Sequence, residues 1–291
     1  MAAFTSPVKI NWPEEWRVPF VFSSPHSGRN YPDRFVESSM LDFARLRQSE
    51  DFLVDQLFAC VPEYGAPLLA AEFPRAYCDA NREAFELDPL MYKTPLPDYV
   101  MTASPRLASG IGTIPKVVGA GQEIYAGKLD FKEAQRRINE CYFPYHHALR
   151  QLLEEGIKKF GYIYLMDCHS MPATAPSIGR GRTAFGVRRP DIILGNRYGT
   201  SCGPQLFNAT LASLESYGYH VGQNTPYAGG FITAYYGKPD RNVHALQIEI
   251  NRGLYMDQKR LKTNRGFEKL RQDIAGFIRN MSEDRSSLLT A

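Results

Sequence analysis

Short apolar segments alternate with longer amphipathic ones along the 291-residue chain. A short apolar run bounded by turn residues is typical of a buried strand, and the buried strands of parallel sheets are continuous runs of this kind. The pattern predicts strands over residues 18–24, 66–73, 162–166, 191–194 and 244–250.

Helical periodicity marks the segments between these strands. Ser49 is a candidate N-cap for a helix with apolar residues from position 53 onward. A long amphipathic helix is predicted over 131–153, and Pro144 predicts a kink or a break within it. Two further helices are predicted over 203–217 and 263–279.

Strands that alternate with helices predict the α/β class, with a mixed, largely parallel sheet flanked by helices. Residues 84–128 are irregular and rich in Pro and Gly, which favours a functional insertion or cover over a linker. A second loop, 179–189, is rich in Gly and Arg. Because no linker separates two halves, we expect one domain over residues 1–291.

Composition excludes several classes of protein. Hydrophobic residues make up 44% of the chain, enough for a sizeable core, but there is no apolar run of about 18 residues that would cross a membrane. The 34 basic and 31 acidic residues give a net charge of +3, too small to indicate nucleic-acid binding. No signal peptide begins the sequence, and the five cysteines are odd in number and widely spaced, so we expect reduced thiols in a cytoplasmic protein.

Two histidines stand where apolar strands are predicted to end. His26 follows the first strand, and Asp167 and His169 follow the third. Since ligands gather at the carboxyl ends of parallel strands, both imidazoles are candidates for a zinc site, which often combines two His with one carboxylate. Asp167 is a candidate partner for the second ring nitrogen of a ligand His. A single His in a loop is more often only hydrogen-bonded, and this reading is favoured for the other four histidines.

Glu249 lies in the last predicted strand, where polar and apolar residues alternate. Gln247, Glu249 and Asn251 therefore share one strand face. If this face meets the core, burial raises the pKa of the carboxyl, and Glu249 can carry a proton from an attacking water to a leaving nitrogen. The alternatives are an exposed glutamate on an edge strand, or one paired with Arg252.

Asn81 and Arg82 follow the second predicted strand, and Arg75 precedes them. An arginine binds a carboxylate through two parallel hydrogen bonds, so these residues are candidates for binding a small anionic substrate, although a structural turn is an alternative. The arginines of the 179–189 loop, at positions 180, 182, 188 and 189, are weaker candidates. The motifs GxSxG, GxxxxGK[ST], HExxH and GxGxxG do not occur. The sequence therefore gives no indication of a serine nucleophile elbow, a phosphate-binding P-loop, an HExxH zinc site or a dinucleotide-binding loop.

Taken together and in order, five motifs resemble the N-formylglutamate amidohydrolase family over about residues 20–260. They are SPHSG at 24–28, DANRE at 79–83, DCHSMP at 167–172, PYAGGFIT at 226–233 and QIEINRGLYMD at 247–257. The resemblance implies a phosphorylase/hydrolase-like fold related to zinc carboxypeptidases and aspartoacylases.

The resemblance also implies one zinc ion per chain and hydrolysis of N-formyl-L-glutamate to formate and glutamate, a late step of histidine breakdown. His26 and His169 match the metal histidines, Glu249 matches the catalytic carboxylate, and Asn81 with Arg82 matches the pair that holds the substrate carboxylate.

The third metal ligand departs from the pattern of the carboxypeptidase relatives. Their metal carboxylate lies three residues after the first His, and here that position is Arg29. Asp51 is the best match to the family's aspartate, with Glu50 and Asp55 as alternatives.

Two other functions stay open from the sequence. The first is an amidase or peptidase for a different N-acyl amino acid or small peptide, and the second is a carboxylate-binding protein without activity. The sequence predicts no oligomeric state.

Overall fold

The computed structural model describes residues 4–119, 121–173 and 189–283. Seven strands form one sheet in the order β1-β3-β2-β6-β9-β7-β8. Their bounds are β1 Val8–Asn11, β2 Phe20–Ser24, β3 Leu68–Ala71, β6 Ile163–Met171, β7 Ile192–Gly195, β8 Val221–Gln223 and β9 Val243–Asn251. Two small sheets pair β4 (Val117–Val118) with β5 (Gln122–Glu123) and β10 (Met256–Asp257) with β11 (Lys262–Thr263).

The predicted fold class is confirmed. Strand β6 runs parallel to β2 and to β9, and β7 runs parallel to β8. The antiparallel pairing of β7 with β9 makes the sheet mixed. Each of the five predicted strands occurs, and every residue of β2, β3, β6 and β7 is buried, as their apolar runs indicated.

Strand β6 is longer than predicted, because it continues through the polar residues that were expected to follow it. Its pairing with β9 extends to Met171, opposite Asn251. Asp167 and His169 therefore lie inside the strand, on one face, while Cys168 faces the other side. The ladder with β9 pairs their backbone groups, so polar residues do not end the strand here.

The helices are α1 (Asp33–Ser38), α2 (Phe43–Leu46), α3 (Val54–Leu57), α4 (Pro105–Ala108), α5 (Phe131–Arg137), α6 (Phe143–Phe160), α7 (Pro204–Ser216), α8 (Phe231–Tyr236) and α9 (Phe267–Glu283). A π-helical turn, Ile138–Tyr142, joins α5 to α6. The departure from α-helical geometry expected near Pro144 thus takes the form of a wide turn just before it. Such a turn leaves room for a residue that has no backbone N–H.

The helix predicted from a Ser49 cap is wrong in its start. Ser49 ends a short 3₁₀ turn, and α3 begins only after Leu53. In between, the backbone N–H of Asp51 donates to the carbonyl of His26 at 3.0 Å, so this segment serves a long-range contact in place of a helical turn.

The chain divides into two compact units. The first consists of Met1–Lys9, Pro25–Phe52 and Leu69–Gln151, and the second of Ile10–Ser24, Leu53–Leu68 and Leu152–Ala291. The expectation of one domain stays a prediction. Among the helices of the described residues, none is long and apolar enough to cross a membrane.

Each unit has its own packed core. In the first, the buried guanidinium of Arg137 lies 4.4 Å from the centre of the Tyr77 ring and 5.1 Å from that of Phe35. In the second, α9 packs on α7 and on α3. The region 84–128 contains only short elements, α4, β4, β5 and one 3₁₀ turn, as its irregular sequence indicated.

Candidate active site

His26 is buried two residues after β2, with a carboxylate near each ring nitrogen. Its Nε2 lies 2.8 Å from Oδ1 of Asp79, and its Nδ1 lies 3.4 Å from Oδ2 of Asp51. The hydrogen bond from the Asp51 backbone to the His26 carbonyl holds the two segments together. Gly28 allows the chain after His26 to pass close to the backbone of Phe73, with which a Cβ at this position would collide.

Asp79 gathers the polar groups around His26. It is fully buried and accepts hydrogen bonds from Nε of Arg75 at 2.9 Å and from the backbone N–H of Asn81 at 2.8 Å. Burial alone would raise the pKa of this carboxyl, but the charges of Arg75 and Arg82 and the hydrogen bond to His26 lower it well below its usual range. Asp79 belongs to the DANRE motif, but this role was not predicted from the sequence. The available signal was its position two residues before Asn81, which favours a side-chain-to-backbone turn.

The three candidates for the third metal ligand differ in burial and in their hydrogen-bond partners. Glu50 is held by Arg47 through two hydrogen bonds, of 2.8 Å to Oε1 and 3.0 Å to Oε2. Asp55 is partly exposed and accepts from Gln56 at 3.2 Å. Asp51 is buried beside the imidazole of His26.

His169 also has a carboxylate close to its Nε2. Its Nε2 lies 3.0 Å from Oδ2 of Asp167, and both side chains are buried on one face of β6. In the neighbouring strand, His169 stands directly opposite Glu249.

His26, Asp51 and His169 form a group that is able to hold a metal ion. Each offers one ligand atom, and these atoms all lie within 4.8 Å of one another. Two atoms bound to zinc at about 2.0–2.2 Å and at the tetrahedral angle lie roughly 3.3–3.6 Å apart. The 3.4 Å between His26 Nδ1 and Asp51 Oδ2 matches this spacing. Two imidazoles and one carboxylate therefore fit zinc and leave a fourth position open.

Glu249 lies in the interior of the sheet, since β9 stands between β6 and β7. The alternative of an edge-strand glutamate is therefore wrong. The side chain is buried, and its Oε1 accepts a hydrogen bond of 3.0 Å from Nε2 of Gln247. Arg252 donates from Nε to Oγ of Ser170 at 3.0 Å.

Arg82 is buried and makes several contacts with the protein. Its Nε donates to the carbonyl of Ile111 at 2.8 Å, and its Nη1 donates to that of Asn81 at 2.7 Å. Burial lowers the pKa of Arg82 to about 10. Arg75 is more accessible, with 25% of its side chain exposed. The roles of Asn81, Arg82 and Arg75 in substrate binding stay predictions.

The arginine-rich loop is described only at its end. Arg180, Arg182 and Arg188 lie outside the described residues. Arg189 donates from Nη1 to the carbonyl of Ala173 at 3.0 Å.

Comparison with known proteins gives concordant matches. The model of the family described as N-formylglutamate amidohydrolase matches residues 18–256. The N-formylglutamate deformylase of Pseudomonas aeruginosa is 30% identical over 248 residues, which is 84% of either chain. That of Pseudomonas putida is 29% identical over 245 residues, or 83% of either chain. The crystal structure of N-formylglutamate amidohydrolase from Ralstonia eutropha JMP134 superposes with a TM-score of 0.88 at 37% identity, covering 96% of this chain and 98% of that one.

Proposed function

The chain belongs to the N-formylglutamate amidohydrolase family, and from this premise we propose that it is a zinc-dependent hydrolase of N-formyl-L-glutamate. The products are formate and L-glutamate. The observation that carries the proposal is the buried group of His26, Asp51 and His169, whose chemistry suits a catalytic metal. A place in histidine breakdown and a location in the cytoplasm belong to the same proposal.

His26, Asp51 and His169 hold one zinc ion per chain in this proposal. Bound zinc polarises a carbonyl oxygen and makes water a better nucleophile near neutral pH. Asp79 acts behind His26, where it accepts the Nε2 hydrogen and fixes the orientation of the ring. Asp167, with Oδ2 3.0 Å from Nε2 of His169, is assigned the same role.

Glu249 carries the proton in both halves of the reaction. Its carboxylate takes one proton from the water whose oxygen bonds to the formyl carbon. The same proton then passes to the amide nitrogen as the C–N bond breaks, so that formic acid and the amino group of glutamate leave and the carboxylate is restored. The acid then gives its hydroxyl proton to the amine, which yields formate and the ammonium form of glutamate. A carboxylate fixed within the sheet is well placed for this work, because it loses little freedom on reaching the reactive position.

Arg82, with Asn81 beside it, is assigned to the substrate carboxylate, and Arg75 is the next candidate. Two of the five N–H groups of Arg82 serve backbone carbonyls, and its Nη2 lies 3.5 Å from Oδ2 of Asp79. The remaining N–H groups are assigned to the ligand in this proposal. The bonds to Ile111 and Asn81 also hold the planar group in one orientation.

The test of the function is a hydrolysis assay with a panel of N-acyl amino acids, with and without added zinc. We expect the highest kcat/KM with N-formyl-L-glutamate. Faster turnover of another N-acyl amino acid or of a small peptide would identify a different amidase. Calorimetric binding without turnover of any member would identify a carboxylate-binding protein and overturn the proposal.

The test of the metal assignment is the zinc content of purified protein. His169→Ala removes one of three ligands, so we expect at least a tenfold loss of zinc affinity relative to wild type. His220→Ala is the matched control, since this exposed histidine bonds only to backbone groups of the described residues and to Asp191. Equal zinc in wild type and His169→Ala would show that the ion is held elsewhere.

A further inference from the structure

Gln247 connects Glu249 to the segment 226–233. The side chains of Gln247 and Glu249 project from the same face of β9, and both are buried. The exposed fraction is 3% for Gln247 and 8% for Glu249. Nε2 of Gln247 lies 3.0 Å from Oε1 of Glu249, and Oε1 of Gln247 lies 2.8 Å from the backbone nitrogen of Gly230.

This pair of contacts fixes which way the amide of Gln247 points. The backbone N–H of Gly230 only donates, and an ionised carboxylate only accepts. The reverse orientation would set NH₂ against N–H and oxygen against carboxylate, and both contacts would be repulsive. Gln247 must therefore accept from Gly230 and donate to Glu249.

The segment that carries Gly230 is itself fixed against the sheet. Gly195 of β7 stands opposite Gln247 in the ladder, and a Cβ on it would lie 2.7–2.8 Å from the backbone of 227–229. Gly229 has a φ of +124°, and Oγ1 of Thr233 donates to the carbonyl of Gly230 at 3.0 Å. The hydrogen-bond donor for Gln247 is thus held by close packing and by a turn that favours glycine.

From this geometry we propose that Gln247 is a positioning residue for Glu249, an inference that rests on the proposed function. It holds Oε1 and directs Oε2 toward proton transfer. Gln247 does not touch the reacting atoms. The hydrogen bond from Gly230 fixes the amide of Gln247, and this amide in turn holds the carboxylate of Glu249.

The experiment compares Gln247→Leu and Gln247→Glu with wild type. Leucine removes both hydrogen bonds at similar volume. Glutamate still accepts from Gly230 but sets a second carboxylate against Glu249. We expect kcat with N-formyl-L-glutamate to fall about 10- to 100-fold in both variants, with KM and zinc content within about twofold of wild type.

His244→Leu is the matched control. His244 lies on the same strand and accepts from the backbone N–H of Gly203 at 2.9 Å, but it has no contact with Glu249 in the described residues. This variant loses an equivalent bond and should show a comparable fall in Tm with kcat near that of wild type. An equal loss of kcat in His244→Leu, or a kcat within about twofold of wild type in both Gln247 variants, would overturn the proposal.

A crystal structure of Gln247→Leu gives a readout that does not depend on activity. We expect the carboxylate of Glu249 to rotate away from its wild-type position or to occupy two conformers. A carboxylate that keeps its place refutes the positioning role even if the substrate assignment is correct. Absence of turnover in wild type refutes the function while leaving this structural result to decide the role of Gln247.

Discussion

The two buried histidines each have a carboxylate at Nε2. Asp79 serves His26, and Asp167 serves His169. At His26 the contact is a hydrogen bond of 2.8 Å, and because a carboxylate only accepts, Asp79 holds the imidazole hydrogen on Nε2 and leaves the lone pair of the neutral ring on Nδ1. Nδ1 is therefore the nitrogen through which His26 would bind a cation, and it is the atom that faces Asp51.

Replacing Glu249 by glutamine separates proton transfer from metal binding. Glu249→Gln keeps the shape of the side chain and removes its basicity. We expect normal zinc content and a loss of kcat of about 10²–10⁴-fold, the usual contribution of general acid–base catalysis. Glu215→Gln, the same change on the exposed surface of α7, is the control. A kcat close to wild type would assign proton transfer to another group.

Arg82 is tested by the preference for a substrate that has a free carboxylate. Loss of a charged partner in a water-excluding site costs about 2–5 kcal/mol. Since the contact exists in both the ground state and the transition state, the loss should raise KM more than it lowers kcat. Arg82→Lys and Arg82→Ala are each assayed on an N-acyl amino acid and on its amide, and both should lose much of the wild-type preference for the acid.

The test compares kcat/KM for the acid with kcat/KM for the amide in the same protein sample. This ratio does not depend on the amount of folded protein. That matters because Arg82 also bonds to backbone carbonyls, so its variants will lose stability. Arg150→Lys, an exposed change on α6, is the control. A preference as strong as that of wild type in both variants would make Arg82 structural and Arg75 the next candidate.

At the scale of single residues, the sequence predicted which side chains belong to the candidate site better than it predicted the contacts between them. His26 and His169 could be named because their motifs carry them, and Asp51 because it best matches the family's aspartate. The structure brings candidate ligand atoms of all three together. The link from Asp79 to His26 spans 53 positions, and no local pattern signals such a contact. The same holds for Gln247, whose bond to Gly230 depends on where the chain returns to the sheet.

Among the elements, the apolar strands were predictable and the polar ends of elements were not. Strands β2 and β3 are marked by their own sequences, since both faces of each are buried. The second half of β6 reads as a loop, yet pairing with β9 keeps it in the sheet. The start of α3 was misplaced because Asp51 bonds to a distant carbonyl, a tertiary contact that overrides a local capping signal.

The carboxylate of Glu133 in α5 makes a contribution to the free energy of unfolding that depends on pH. Burial alone would raise the pKa of Glu133, but hydrogen bonds from Arg137 and Arg136, at 2.7 and 2.8 Å, lower it. A lowered folded-state pKa means that the interaction stabilises the protein at neutral pH and is lost as the pH falls below about 4.3. Glu133→Gln should therefore be less stable than wild type at pH 7, by a few tenths to about 1 kcal/mol, and this deficit should shrink at pH 3.

Urea unfolding of the two proteins at pH 7 and pH 3 measures this difference. Glu268→Gln, which removes an exposed pair with Arg271 on α9, is the control and should change little at either pH. A deficit in Glu133→Gln that is the same at both pH values would show that packing, rather than charge, makes its contribution.

For the whole molecule, bound zinc should raise the stability of the folded chain. The three proposed ligands lie at positions 26, 51 and 169, so the unfolded chain does not present them together. A ligand at about 100 times its Kd stabilises the folded state by about 2.7 kcal/mol, which corresponds to roughly 5–10 °C in Tm for a chain of this size. A chelator should lower the Tm of wild type by that amount, and readdition of zinc should restore it.

His169→Ala is the control for this measurement, because its Tm should not respond to the chelator. A wild-type Tm that is the same with and without chelator would contradict a structural contribution from bound zinc. Equal chelator-induced shifts in wild type and His169→Ala would place the stabilising ion at a different site.

The interior position of β6 also sets how fast different amides near the site exchange with deuterium. Asp167 is paired with Ser23 on one side and Gln247 on the other, and His169 is paired with Glu249. Amides in central strands exchange only through large openings, whereas those in irregular segments exchange through small local ones. In zinc-free protein, we expect the His169 amide to stay protected long after that of Asp51 has exchanged. Reloading of the metal would then begin at an anchored imidazole and finish when the segment around Asp51 closes.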